Sequence, residues 1–147
     1  MKCFVRVVVL CTLVACAFAG CNRSEPAASG LSTTPAPIAE VSVEQASALL
    51  AAGAIAIDAN GEDTRREQGT VPNARLLSSS SQYDPARELP AARNTKLVFY
   101  CGGEMCSASD TAAERARSAG FTDVCGMRPG ISGWVSAGKT TQSFPRS

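Results

Sequence analysis

The run Leu97-Val98-Phe99-Tyr100, followed at once by Cys101-Gly102-Gly103-Glu104-Met105-Cys106, constrains the fold more than any other stretch of this chain. Four apolar or aromatic residues without alternation are the pattern of a strand buried on both faces. Such a strand belongs to a parallel sheet with helices covering each side. The next segment agrees. Ser107 to Ala119 reads as a helix with Ala112, Ala113 and Ala116 on its packing side and a stop at Gly120.

The rest of the domain alternates in the same way. Ser42-Val43-Glu44-Gln45 has the spacing of a capping box, and the helix it opens runs through Ala46, Leu49 and Leu50 to a stop at Gly53. Ala54 to Ile57, ending at Asp58, reads as a buried strand. Gly61 to Gln68 is charged and reads as a short helix. Gly69 and Pro72 punctuate a loop, Ala74 to Leu77 reads as a second strand, and Ser78 to Ser81 as surface loop. Asp84-Pro85 supplies a cap and a first helical residue, and Pro90 follows the end of that helix. Val124 to Met127 is a further parallel strand. Gly130 to Ala137 carries Ile131 and Trp134 at helical spacing and closes at Gly138. The expected fold class is α/β, a parallel sheet with helices on both faces, over residues 40–147.

Residues 1–39 read differently. Lys2 and Arg6 flank an apolar run from Val7 to Ala19, which has the charge and length of a secretory signal peptide over residues 1–20. Residues 21–39 are small and polar apart from Leu31 and Ile38, a composition suited to a flexible tether. Three processing readings compete. Phe18-Ala19-Gly20-Cys21 resembles a bacterial lipobox, with Cys21 acylated. Leu13-Val14-Ala15-Cys16 resembles the same motif but leaves a very short apolar region. Ala17-Phe18-Ala19 fits cleavage to a soluble product. Lipidation at Cys21 is preferred, because it leaves an ample apolar region and puts the polar tether directly after the anchor. Phe18 stands there in place of the usual Leu. The expected location is the extracytoplasmic side of the cell envelope, periplasmic, with the lipid anchor as the membrane contact.

Several functions are excluded by what the chain lacks. The net charge is +1 with no basic stripe, so no nucleic-acid partner is expected. There is no histidine, which removes Cys–His nucleophile pairs and His-based metal sites. Cys101, Cys106 and Cys125 are soft ligands, but their spacing matches no metal signature. No cofactor is expected, and the domain is expected to be a monomer.

Chemistry concentrates in the loop after the strong strand. Ligands in open α/β sheets sit at the carboxyl ends of strands, beside helix N-termini. Cys101 is the first residue past such a strand, and Gly102 and Gly103 permit close backbone approach. Loop N–H groups turned inward, with the positive end of the helix starting near Ser107, would favour a thiolate at Cys101. A thiolate attacks sulfane sulfur readily.

Over residues 40–147 the chain resembles the rhodanese-like family. Three segments carry the resemblance: Ile57-Asp58-Ala59-Asn60-Gly61-Glu62-Asp63, the turn Gly69-Thr70-Val71-Pro72-Asn73-Ala74, and Leu97 to Cys101 with its loop, the Ala-rich helix, Gly120-Phe121, Pro129-Gly130-Ile131-Ser132-Gly133-Trp134 and Ala137-Gly138. The resemblance implies a rhodanese-like three-layer fold. It implies that Cys101 is the persulfide-forming nucleophile, cradled by Gly102, Gly103, Glu104, Met105 and Cys106 in an active-site loop that runs on to Ser107. It also implies a small sulfur donor or a protein persulfide as partner. The departures from the family pattern are Thr70 in place of His, Asn60 in place of Arg, and Cys106 where the loop often ends in a donor. Glu104 adds a negative charge where anionic thiosulfate would bind, which argues against that donor. A phosphatase needs an Arg six residues after the Cys; that position is Ser107. Two alternatives stay open beside sulfur transfer. Cys101 and Cys106 can form a redox pair if the loop narrows, or the domain binds a partner at the envelope without catalysis.

Overall fold

The computed structural model describes residues 36–145; the signal peptide, Cys16, Cys21 and most of the tether lie outside the described residues. The elements follow in the order β1 (Ala39–Val41), α1 (Val43–Ala51), β2 (Ile55–Asp58), α2 (Glu62–Gln68), β3 (Arg75–Leu76), α3 (Pro85–Glu88), β4 (Leu97–Tyr100), α4 (Ala108–Ser118), β5 (Val124–Met127) and α5 (Gly130–Ser136). Local chemistry explains the starts. Ser42 Oγ accepts the Gln45 N–H at 3.2 Å and Gln45 Oε1 accepts the Ser42 N–H at 2.8 Å, a complete capping box for α1. Asp84 Oδ1 accepts the Ala86 N–H at 2.9 Å, and Pro85 opens α3 without wasting a donor.

The five strands lie in the order β1-β5-β4-β2-β3 and every pair is parallel, so β4 is central. Alternation along β4 divides its side chains between two layers. Leu97 and Phe99 pack with Ile57 against Ala112, Ala113 and Ala116 of α4. Val98 and Tyr100 pack with Ala56 against Val43 and Ala46 of α1 and Ile131 and Trp134 of α5. All four β4 side chains are buried, each large one contributing about 1.5–3 kcal/mol. This is the three-layer α/β arrangement expected from the unbroken apolar run.

Two details differ from the sequence pattern. The strand expected over Ala74–Leu77 narrows to Arg75–Leu76. An extra edge strand begins at Ala39, pairing from Ala39 opposite Cys125 to Val41 opposite Met127, and Ile38 packs on the α4-side core. The expected tether therefore gives way to sheet one residue before the expected boundary. The physical reason is that β1 is three residues long and mostly exposed, held by backbone pairing with no apolar run to announce it. No helix among the described residues is long and apolar enough to cross a membrane.

Parallel register aligns the strand ends. Asp58 lies opposite Tyr100, so the last residues of β2 and β4 are neighbours. The Tyr100 hydroxyl donates to Asp58 Oδ2 at 2.7 Å and accepts the Val71 N–H at 3.0 Å. Arg65, from the charged helix α2, turns inward instead of facing water. Its Nη2 donates to the carbonyls of Asp58 and Leu77 at 3.1 and 3.0 Å, and its Nε lies 3.4 Å from Asp58 Oδ1. Burial first, then the Asp58 charge, pushes the Tyr100 phenol far up, so it stays a donor. This network ties together the strand ends from which the reactive loop departs.

Candidate active site

Cys101 follows the end of β4 and is 2 % exposed. Its Sγ is joined to Cys106 Sγ in a disulfide, with the two Cα atoms 6.3 Å apart, inside the usual range for such bonds. The intervening loop narrows through a turn in which the Cys106 N–H donates to the Gly103 carbonyl at 2.9 Å. The start of α5 clamps the loop from behind: Ile131 N–H donates to the Cys101 carbonyl at 2.8 Å and Ser132 N–H to that of Gly102 at 3.0 Å. Contact is so close that a Cβ on Gly130 would stand 2.5 Å from the Cys101 oxygen, and Gly130 has a φ of +61°. Only glycine meets both demands.

Of the loop's own N–H groups expected to surround the sulfur, that of Cys106 is turned to the Gly103 carbonyl in this oxidised form. The polar atoms that touch Cys101 Sγ are the Cys106 carbonyl oxygen at 3.1 Å and Ser109 Oγ at 3.3 Å. Ser109 is buried on the first turn of α4 and was not among the residues the loop pattern singled out. A signal for it exists: Ser109 shares the packing stripe of Ala112, Ala113 and Ala116 and is its one polar member.

Above the loop lies an open pocket of about 400 Å³, lined by Gly102, Gly103, Glu104, Met105 and Cys106 and closed opposite by Thr64, Gln68 and Ser132. Ser132 Oγ donates to Gln68 Oε1 at 3.0 Å across this wall. The two bonded cysteines are not equivalent. Cys106 is partly exposed and lines the pocket, whereas Cys101 lies buried beneath it. Glu104 and Met105 are exposed at the rim. Ser107 is exposed and precedes α4 as its cap residue. Cys125 is buried in the core on the α1 and α5 side of the sheet, away from the α4 side where Cys101 packs, so the three thiols do not converge. Burial pushes the Cys125 thiol up, which keeps it inert.

The departures noted in sequence have structural roles. Thr70 is buried in an antiparallel bridge with Gln142, exchanging N–H···O bonds of 2.9 and 2.8 Å that pin the turn to the C-terminal segment. Asn60 is buried beside Gly102, and its backbone N–H donates to Asp58 Oδ1 at 2.7 Å.

A family model described as the rhodanese-like domain matches residues 42–137, about two-thirds of the chain. The chain belongs to the rhodanese-like family. No curated protein matches it in sequence. Among solved structures, the rhodanese-like domain of an Anabaena protein superposes with a TM-score of 0.59 at 18 % identity, over 71 % of this chain and 79 % of that one. A polysulfide-sulfur transferase from Wolinella succinogenes gives 0.59 at 20 % identity, over 75 % and 80 %. A human single-domain sulfurtransferase gives 0.52 at 28 % identity, over 69 % and 97 %. These likenesses cover the parallel sheet and its helices. In this rhodanese-like domain the loop after the central strand carries both Cys101 and Cys106.

Proposed function

We propose that this rhodanese-like protein is a sulfurtransferase that takes sulfane sulfur onto Cys101 and passes it on. The observation that carries the reading is the position of Cys101. It stands at the carboxyl end of the central strand, with Ser109 Oγ 3.3 Å from its sulfur and a pocket of loop residues above. The reduced form is the active one. Ser109 then donates to the thiolate, which attacks the outer sulfur of a donor and keeps it as a persulfide. Glu104 at the rim disfavours the thiosulfate dianion, so a neutral donor or a protein persulfide is the better substrate. The test is Cys101→Ser, which removes the nucleophile where no base is present to activate a hydroxyl. Sulfur transfer should fall to background with the circular dichroism spectrum unchanged. Retained transfer would remove Cys101 from the mechanism.

The disulfide favours a second reading, thiol redox chemistry or sensing by the Cys101–Cys106 pair. Both readings place the chemistry on the same sulfur.

A further inference from the structure

Resting on the sulfurtransferase reading, we propose that Cys106 resolves the Cys101 persulfide, so that the bound sulfur leaves as hydrogen sulfide and a dithiol resets the site. Cys106 Sγ reaches Cys101 Sγ on the loop as it stands, since the two are bonded. Any sulfur loaded onto Cys101 therefore sits beside a second thiol five residues away in sequence. An intramolecular nucleophile held in reach acts at a high effective concentration and outpaces acceptors arriving from solution.

The electron pair of the Cys106 thiolate forms the new bond to Cys101 Sγ. The bond between Cys101 Sγ and the added sulfur breaks, and its pair departs on HS⁻, which takes up the proton released by the Cys106 thiol. Over the whole turnover two thiols become one disulfide and one sulfane sulfur is reduced by two electrons. The product is the oxidised state seen in the structure.

Reset follows from the unequal exposure of the two sulfurs. Cys106 lines the pocket and Cys101 does not. An incoming dithiol attacks Cys106 Sγ, and Cys101 leaves as a thiolate beside Ser109 Oγ. The second thiol of the reductant then displaces Cys106 and leaves as its own disulfide. The protein thus acts as a sulfane-sulfur reductase with a dithiol as its electron source.

The experiment uses the full chain, reduced and freed of reductant, given one equivalent of glutathione persulfide. Sulfide release and protein mass are followed together. The wild type should gain one sulfur, lose it again with release of one equivalent of sulfide, and finish two hydrogens lighter. Cys106→Ser and Cys106→Ala should hold the added sulfur on Cys101 and release sulfide at least about tenfold more slowly. With glutathione persulfide then supplied in excess, added dithiothreitol should turn the single release by wild type into continuous release. If wild type keeps its added sulfur as long as the variants do, the resolving role of Cys106 is overturned and the sulfurtransferase reading stands. If neither protein takes up sulfur on Cys101, that reading falls and this inference with it. Release that stops after one equivalent despite dithiothreitol overturns the reset.

Discussion

Ser109 places a hydroxyl 3.3 Å from Cys101 Sγ, on the first turn of α4. Once the disulfide opens, that hydroxyl donates to the thiolate, and a hydrogen bond to the charged form favours it. Ser109→Ala should slow iodoacetamide alkylation of reduced Cys101 at neutral pH by about tenfold and move the pH–rate profile to the alkaline side. Alkylation kinetics across pH check this; an unchanged profile would mean the hydroxyl points to other partners in the reduced form. The position of Cys101 was legible in sequence, because an unbroken apolar strand running into Cys-Gly-Gly leaves few other places for a reactive loop. The disulfide was open as an alternative only. Closing it depends on the local Cys106–Gly103 turn and on the α5 clamp behind Cys101 and Gly102, whose contacts join residues about thirty positions apart and leave no local pattern.

At the scale of the elements, the ends of β2 and β4 are bolted by Asp58, Tyr100 and Arg65. Replacing Tyr100 by Phe keeps the packing but leaves Asp58 Oδ2 and the Val71 N–H without the phenol. The expected cost is about 1–3 kcal/mol, read as a lowered urea midpoint with an unchanged slope. A midpoint within error of wild type would show that water replaces the phenol at both groups. Sequence reading found these strands and missed the bolt. Tyr100 read as one more apolar or aromatic strand residue, and Arg65 lay unremarked in a charged short helix; the inward turn of Arg65 is set by the carbonyls of Asp58 and Leu77. The edge strand β1 was missed for a simpler reason, since a short exposed strand is specified by the neighbour it pairs with.

At the scale of the whole molecule, the α/β order was readable because each segment switches cleanly between strand and helix patterns. The N-terminal segment is a separate matter. We propose that the chain is exported and held at the membrane by a lipid on Cys21, on the sequence grounds given above. Cys21→Ala should move the protein from the membrane to the soluble fraction on cell fractionation. Continued membrane association, with release by Cys16→Ala instead, would place the anchor at Cys16.

A cysteine that must carry sulfur is also one that peroxide can destroy, because oxidation past the sulfenic acid is irreversible in most settings. The Cys101–Cys106 bond changes that outcome. A sulfenic acid formed on Cys101 meets Cys106 and condenses to the disulfide with loss of water, so the damage stops at a state that thiols can undo. The same loop geometry that we propose empties Cys101 of sulfur would keep its thiol repairable.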